Sequence, residues 1–316
     1  MSPGDQTVRH FHYNTIGGGI AILLWSVTVA LVRSLSEQLG PLTAAASVYS
    51  ISGGLAVARL LSSNLQQRQY PRKYLICCGA LFTSYMLALF LAIGLSETRQ
   101  QVLEVGLLNY LWPALTLLFS LVILDKKANI LLLPGTLLAL TGVFLVLTQG
   151  SSVSWQSFST NVASNSIVYL LGLAAAIFWA LYSTLTRKWA SGNNPSAVDI
   201  FLPTTAVVLI LICLVVDEPR TWSLRAISEV VCLGGTTYLA YRLWDAAMRK
   251  GQVVLVAAAS YLTPLFSTLV STVYLTVETT FNLWIGCALL ITGSLLSWRS
   301  VSDGQSRDQR HGHHAD

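Results

Sequence analysis

Asn109-Tyr110-Leu111-Trp112-Pro113 and Ser260-Tyr261-Leu262-Thr263-Pro264 are two versions of one pattern, set 151 positions apart. The spacing extends beyond the pentapeptide. Gln101-Val102 returns as Gln252-Val253, and Gly135, Thr141 and Gly142 return as Gly286, Thr292 and Gly293, all at the same 151. Trp25 and Arg33 return as Trp179 and Arg187 at 154. The chain reads as a duplication. Each pentapeptide ends in a proline inside an apolar run. There the ring removes one helical hydrogen bond and pushes away the carbonyl four residues back. Pro113 frees the carbonyl of Asn109, and Pro264 that of Ser260. In lipid a freed carbonyl needs another partner. Two partners are open to it: a neighbouring helix or hydroxyl, or water or a ligand ammonium in a cavity.

Of the 316 residues, 53% are hydrophobic and 10% charged, against roughly 25% charged in soluble domains. A bilayer takes about 20 apolar residues per helix. Ten such runs can be read, at 15–34, 41–62, 73–95, 100–124, 130–149, 165–187, 197–216, 226–249, 252–275 and 281–299. Their length predicts helices, because barrel strands would alternate every second residue. The expected fold is an all-α integral membrane protein. Five spans fall in 1–150 and five in 151–300, with a polar tail at 301–316. Five is odd, so the second copy is inverted relative to the first. Inverted repeats place the binding site of a secondary transporter between the halves. The expectation is ten transmembrane helices as two inverted five-helix repeats around a central cavity.

Basic residues set the orientation. Four (Arg33, Arg99, Arg220 and Arg225) fall on one side of this scheme, fourteen on the other, and Arg242 lies within a span. The positive-inside rule puts the fourteen, and both termini, in the cytoplasm. The first fifteen residues are polar and basic and lead into a spanning run, so no cleavable signal peptide is expected. The uncharged stretch at 150–164 is read as the outer connector. The tail, with His311, His313 and His314, is read as a disordered end without a metal role. The five cysteines show no ligand spacing and are read as packing residues. There is no Walker loop, HExxH or GxSxG. Neither an enzyme nor a cofactor or metal is expected, and nucleic acid is not a partner. The partners expected are a small-molecule substrate and the lipid bilayer, with the chain acting as a monomer.

The aromatic residues divide by depth. Trp155, Trp189, Trp222, Trp284 and Trp298 fall near span ends, where tryptophan anchors at the interface. Trp25, Tyr85, Tyr110, Trp112, Trp179, Tyr182, Tyr238, Tyr241 and Tyr261 fall deeper, where hydroxyl and indole N–H groups need partners. They suit a cavity wall for flat, apolar groups, or ordinary helix packing. Tyr110 and Trp112, two apart, cannot share one narrow face of an ideal helix. Arg242 and Asp245, three apart, share a helix face. They are expected to neutralise each other or to latch a cytoplasmic gate, or Arg242 to bind a carboxylate. Glu104 and Glu229, near outer span ends, are expected to be wet.

Several motifs carry a resemblance: Leu24-Trp25-Ser26, Tyr49-Ser50-Ile51-Ser52-Gly53, Ser84-Tyr85, Glu104-Val105-Gly106 and the two proline pentapeptides. Over roughly 10–300 the chain resembles the drug/metabolite transporter superfamily in its EamA-type ten-helix exporter form. The resemblance implies a basket of helices, alternating access, and efflux across the bacterial inner membrane. The implied substrates are Phe, Tyr and Trp, with tolerance for neutral amino acids such as Thr and Met. It also implies cavity residues at Tyr85, Tyr110, Trp112 and Trp179. Asn109, Tyr182, Ser260 and Tyr261 join them as candidate substrate-binding residues, with Pro113 and Pro264 as helix breakers. The Arg242/Asp245 pair, the candidate gate, matches no motif of that family. Three rival readings fit the sequence less well. Organic cations would want a buried central carboxylate, sugar phosphates or nucleotide sugars would want basic lining, and a non-transporting scaffold would leave the paired helix breakers unexplained.

Overall fold

The computed structural model describes residues 3–62, 69–148, 154–191, 195–218, 220–275 and 281–303. The apolar runs fold as helices, because a helix satisfies its backbone polar groups within one segment. In the first copy α1 (Pro3–Leu39) leads to α2 (Pro41–Ser62). A π-helical turn at Tyr74–Cys78 opens α3 (Gly79–Gly94), followed by α4 (Arg99–Asn109) and α5 (Trp112–Ile123). A short strand β1 (Lys126–Ala128) precedes α6 (Leu132–Leu147), and α7 (Trp155–Ser164) follows in the connector to the second copy. The second copy runs α8 (Ser166–Ala190), α9 (Val198–Cys213), α10 (Leu224–Lys250) and α11 (Val253–Ala259). A 3-10 turn at Ser260–Leu262 leads into α12 (Thr263–Leu275), α13 (Phe281–Ser300) and β2 (Val301–Asp303).

Among the described residues, five segments are long and apolar enough to cross a membrane. Bent α1, whose parts His12–Thr28 and Leu31–Leu39 meet at 46°, would make a sixth. Local signals set the ends. Gly40, at φ +80°, takes the left-handed turn after α1, and Pro41 opens α2. The Glu218 carboxylate accepts from the N–H groups of Leu42 (3.0 Å) and Thr43 (2.7 Å), where a helix start favours negative charge. The Thr98 hydroxyl caps α4 by accepting from the Gln101 N–H, and Ser223 caps α10 by accepting from that of Ala226.

Between the copies, α1 packs along α10 and α3 along α8. α4 and α5 lie against α8, while α11 and α12 lie against α1. α2 pairs with α9, and α6 with α13. The last seam is built by the repeated glycines. A Cβ on Gly142 would stand 2.7 Å from the Gly286 carbonyl oxygen and from the Leu290 nitrogen. Small residues allow that approach, and in lipid helices associate largely by such packing. Gly142→Ala is expected to cost about 1–3 kcal/mol through overpacking, measurable as a lower unfolding midpoint in detergent.

The connector at 150–164 carries α7, started by a Ser154/Ser157 capping box; residues 149–153 lie outside the described residues. Two expectations are corrected. The start of the tail is not disordered: Val301–Asp303 pairs antiparallel with Lys126–Ala128. Its remainder, with the three histidines, lies outside the described residues. Glu104 is fully buried and Glu229 is 7% exposed, not wet. Tyr169, Asn161 and Gln100 all donate to Glu104, and Arg225, Ser34 and Gln38 donate to Glu229. α7 brings Asn161 over Glu104, a cover that loop composition alone does not announce.

Candidate functional site

The break between α4 and α5 makes the site. Pro113 has no N–H to offer Asn109, so the helix interrupts at Tyr110 and Leu111 and restarts at Trp112. The interruption turns Tyr110 and Trp112 to one side, which an unbroken helix would prevent. A chamber of about 180 Å3 opens there, lined by Trp25, Tyr85, Gly106, Asn109, Tyr110, Trp112, Trp179, Tyr241 and Thr263. It is smaller than the roughly 300–1,000 Å3 of drug-sized pockets, a size for one small solute.

The wall is a continuous aromatic surface. The Trp179 ring stands 4.7 Å from Tyr85, 5.8 Å from Trp25 and 6.2 Å from Trp112, centroid to centroid. Trp244 packs against two of these rings, 5.8 Å from Trp179 and 5.4 Å from Trp112, with its indole N–H donated to Ser183 at 3.2 Å. Two buried polar atoms in the lining residues have no partner among the described residues: the Trp179 indole N–H and the Asn109 side-chain oxygen. A buried donor and a buried acceptor left unpaired each carry a desolvation cost of about 1–3 kcal/mol, which a ligand with complementary groups would remove. None of the lining residues is charged. Across the Trp25–Tyr241 pair lies a second space of about 120 Å3, bordered by Tyr49, Phe90 and Thr237.

Five of the eight sequence candidates line the chamber: Tyr85, Asn109, Tyr110, Trp112 and Trp179. Three do not. Tyr182 is 1% exposed and sits behind Trp179, between it and Phe201. Ser260 and Tyr261 are fully buried, and Tyr261 packs with Leu117, Leu265 and Leu290 toward α5 and α13. The Ser260 carbonyl freed by Pro264 is taken by the Thr263 hydroxyl at 2.8 Å, so the two breaks are not equivalent. Trp25, Tyr241 and Thr263 enter the wall instead. The signal that could have ranked Trp25 is its repeat partnership with Trp179.

Arg242 and Asp245 do not pair. Arg242 donates to Asp199 at 3.1 Å and to the Tyr238 hydroxyl at 3.2 Å. Asp245, fully buried, accepts from Arg249 at 2.7 Å and from the Tyr74 hydroxyl at 2.6 Å. The Tyr74 hydroxyl also accepts the Ala197 N–H at 3.1 Å, and Arg187 donates to the Arg249 carbonyl at 2.7 Å. One buried carboxylate thus ties α3, α8, α9 and α10 together at one end of the molecule. Asp199 was the partner hidden from the sequence, because its position at the start of α9 lies 43 residues before Arg242.

Comparison with known proteins gives a consistent picture. The EamA-like transporter family matches residues 16–148 and again 166–299, one match per copy. The chain is 38% identical over 285 residues to the aromatic amino acid exporter YddG of Salmonella typhimurium, covering 90% of this chain and 96% of that protein. It is 35% identical over 291 residues to the protein of the same name from Escherichia coli K12, with 92% and 98% covered. A third protein of that name, from Ancylobacter novellus, is 30% identical over 291 residues, with 90% and 96% covered. One solved crystal structure superposes with a TM-score of 0.75 at 29% identity, over 90% of this chain and 96% of that one.

Proposed function

The chain belongs to the EamA-like transporter family, and from that premise we propose that it exports aromatic and other neutral amino acids across the bacterial inner membrane by alternating access. The observation that carries the substrate class is the uncharged aromatic chamber with one unpaired donor and one unpaired acceptor. A zwitterionic aromatic amino acid has matching parts. Its ring lies among Tyr85, Tyr110, Trp112 and Trp179. Its ammonium meets the Asn109 side-chain oxygen and freed backbone carbonyl, with cation–π attraction from an indole face. Its carboxylate accepts the Trp179 indole N–H. Organic cations and sugar phosphates fit less well, since the wall offers neither a carboxylate nor a cation.

Ten spans in two inverted repeats are the architecture of this reading. Supporting it, the contacts come in matched sets. α1 on α10 answers α8 on α3, and α11 and α12 on α1 answer α4 and α5 on α8. α2 with α9 and α6 with α13 each answer themselves. That is the pattern of a two-fold relation between copies, and an odd span count makes its axis lie in the membrane plane. The repeats are 1–150 and 151–300, and fourteen basic residues against four favour both termini in the cytoplasm. Asp245, with Arg249 and Tyr74, serves as the cytoplasmic gate latch, and Arg242 acts beside it through Asp199. The chain works as a monomer without cofactor or metal, is not an enzyme, and lets substrate run down its own gradient.

Counterflow in proteoliposomes tests the function. Labelled Phe and Trp are expected to exchange against internal unlabelled substrate, with Thr slower. No exchange of any of the three would refute the proposal.

A further inference from the structure

A larger cavity, about 460 Å3, opens at the β1–β2 end of the molecule, and Leu124, Lys126, Arg187, Gln252, Val254 and Trp298 are among its walls. Its position is set by the helices that also build the aromatic chamber. On α8, Trp179 borders the chamber and Arg187 the larger cavity, eight residues on, about 12 Å along a helix. On α5, Trp112 borders the chamber, and Leu124, which ends that helix, borders the cavity about 18 Å further. The chain through α11 and α12 carries Leu255 in the cavity and Thr263 in the chamber. Three elements therefore link one space to the other, α5 and α8 running from chamber to cavity and α11–α12 the reverse, and the two spaces lie in series.

The chemistry of the two spaces differs. The chamber has no charged lining residue, whereas the larger cavity has two cations. Arg187 gives one nitrogen to the Arg249 carbonyl, one of five donors that a guanidinium carries. Lys126 sits on the short strand β1, so Arg187, anchored on the long helix α8, is the principal charge and Lys126 the second. Burial first, and then the Arg187 charge, hold the Lys126 amine below its ordinary pKa, as expected for like charges sharing a space. Most basic residues at this end are explained by membrane orientation alone. Convergence of two on one cavity, in line with the chamber, is not.

We propose that this cavity is the inner vestibule of the transport path, and that Arg187 and Lys126 hold the α-carboxylate of an amino acid there before it reaches the aromatic chamber. The inference rests on the amino acid reading of the chamber. A planar carboxylate suits the fork of a guanidinium, and the apolar walls of Leu124, Val254 and Trp298 receive the side chain. Because Arg187 also holds the Arg249 carbonyl, whose side chain grips Asp245, an arriving carboxylate competes for the residue that braces the latch.

The test compares the two faces. Proteoliposomes of defined orientation are assayed for the apparent KM of Phe presented at the β1–β2 face and at the opposite face. Arg187→Gln and Lys126→Gln are each measured, with Arg187→Lys as the charge-preserving control and Lys126→Gln as the variant outside the helices. The β1–β2 face KM is expected to rise about tenfold in Arg187→Gln, the scale of a lost hydrogen bond to a charged group. It rises less in Lys126→Gln, recovers only in part in Arg187→Lys, which keeps the charge without the fork, and shifts under about twofold at the opposite face. Equal shifts at both faces, or none, overturn the proposal. So does a shift that vanishes in vesicles lacking anionic lipid, which would assign the cations to a lipid phosphate. Absence of wild-type Phe flux overturns the amino acid reading itself, whereas flux with unshifted variants overturns only the vestibule.

Discussion

Trp179→Phe will lower kcat/KM for Phe export by about 10- to 100-fold, although an aromatic ring remains in place. The expectation follows from the unpaired indole N–H. Phenylalanine retains the ring that packs against Tyr85 at 4.7 Å and Tyr182 at 5.1 Å, but it has no donor for the substrate carboxylate. A hydrogen bond to a charged group contributes about 1.5–3 kcal/mol. Were Trp179 only a core residue, the substitution would lower the unfolding midpoint and leave export per folded molecule unchanged. Measuring both quantities on the same preparation separates the two roles. Tryptamine, which lacks a carboxylate, should compete with Phe equally well in wild type and variant.

The second large effect is on stability. Asp245→Ala is expected to cost about 3–5 kcal/mol, because it removes the carboxylate that neutralises the Arg249 guanidinium in a buried site. Arg249 is 6% exposed, and the Tyr74 hydroxyl would lose its acceptor as well. The double variant Asp245→Leu/Arg249→Met should recover most of that stability, since an apolar pair of similar size can replace a buried ion pair. It should not recover normal export, because a latch that does not engage at the inner end alters the alternation between faces. Thermal unfolding in detergent reads the first expectation and counterflow the second. A double variant as unstable as the single would mean that the loss comes from packing rather than from an uncompensated charge.

Much of this was legible in the sequence because its signals are long. Runs of about 20 apolar residues report helices without any tertiary information, and the 151-residue repeat located both helix breaks. What stayed hidden depended on which way a side chain turns at a break. Tyr110 and Trp112 share a wall because the helix stops between them, a geometry invisible to helical periodicity. Pro113 and Pro264 look alike in sequence, yet only at the second does a threonine hydroxyl occupy the freed carbonyl, so Ser260 and Tyr261 fall away from the chamber. The Arg242–Asp245 pairing failed for a related reason. Three residues of separation permit an ion pair, but Arg249, four residues beyond Asp245, and Asp199, on another helix, were better placed. The burial of Glu104 is hidden because an amphipathic connector helix of ten residues, α7, leaves no long apolar run to find.

The central claim is that the aromatic chamber at the α4–α5 break holds the side chain of an amino acid. Anomalous diffraction from crystals soaked in 4-bromophenylalanine tests it most directly. The account expects one bromine peak within the space bordered by Trp25, Trp112 and Trp179, diminished in Trp179→Phe. A chamber without bromine, with the peak elsewhere in the molecule, would contradict it.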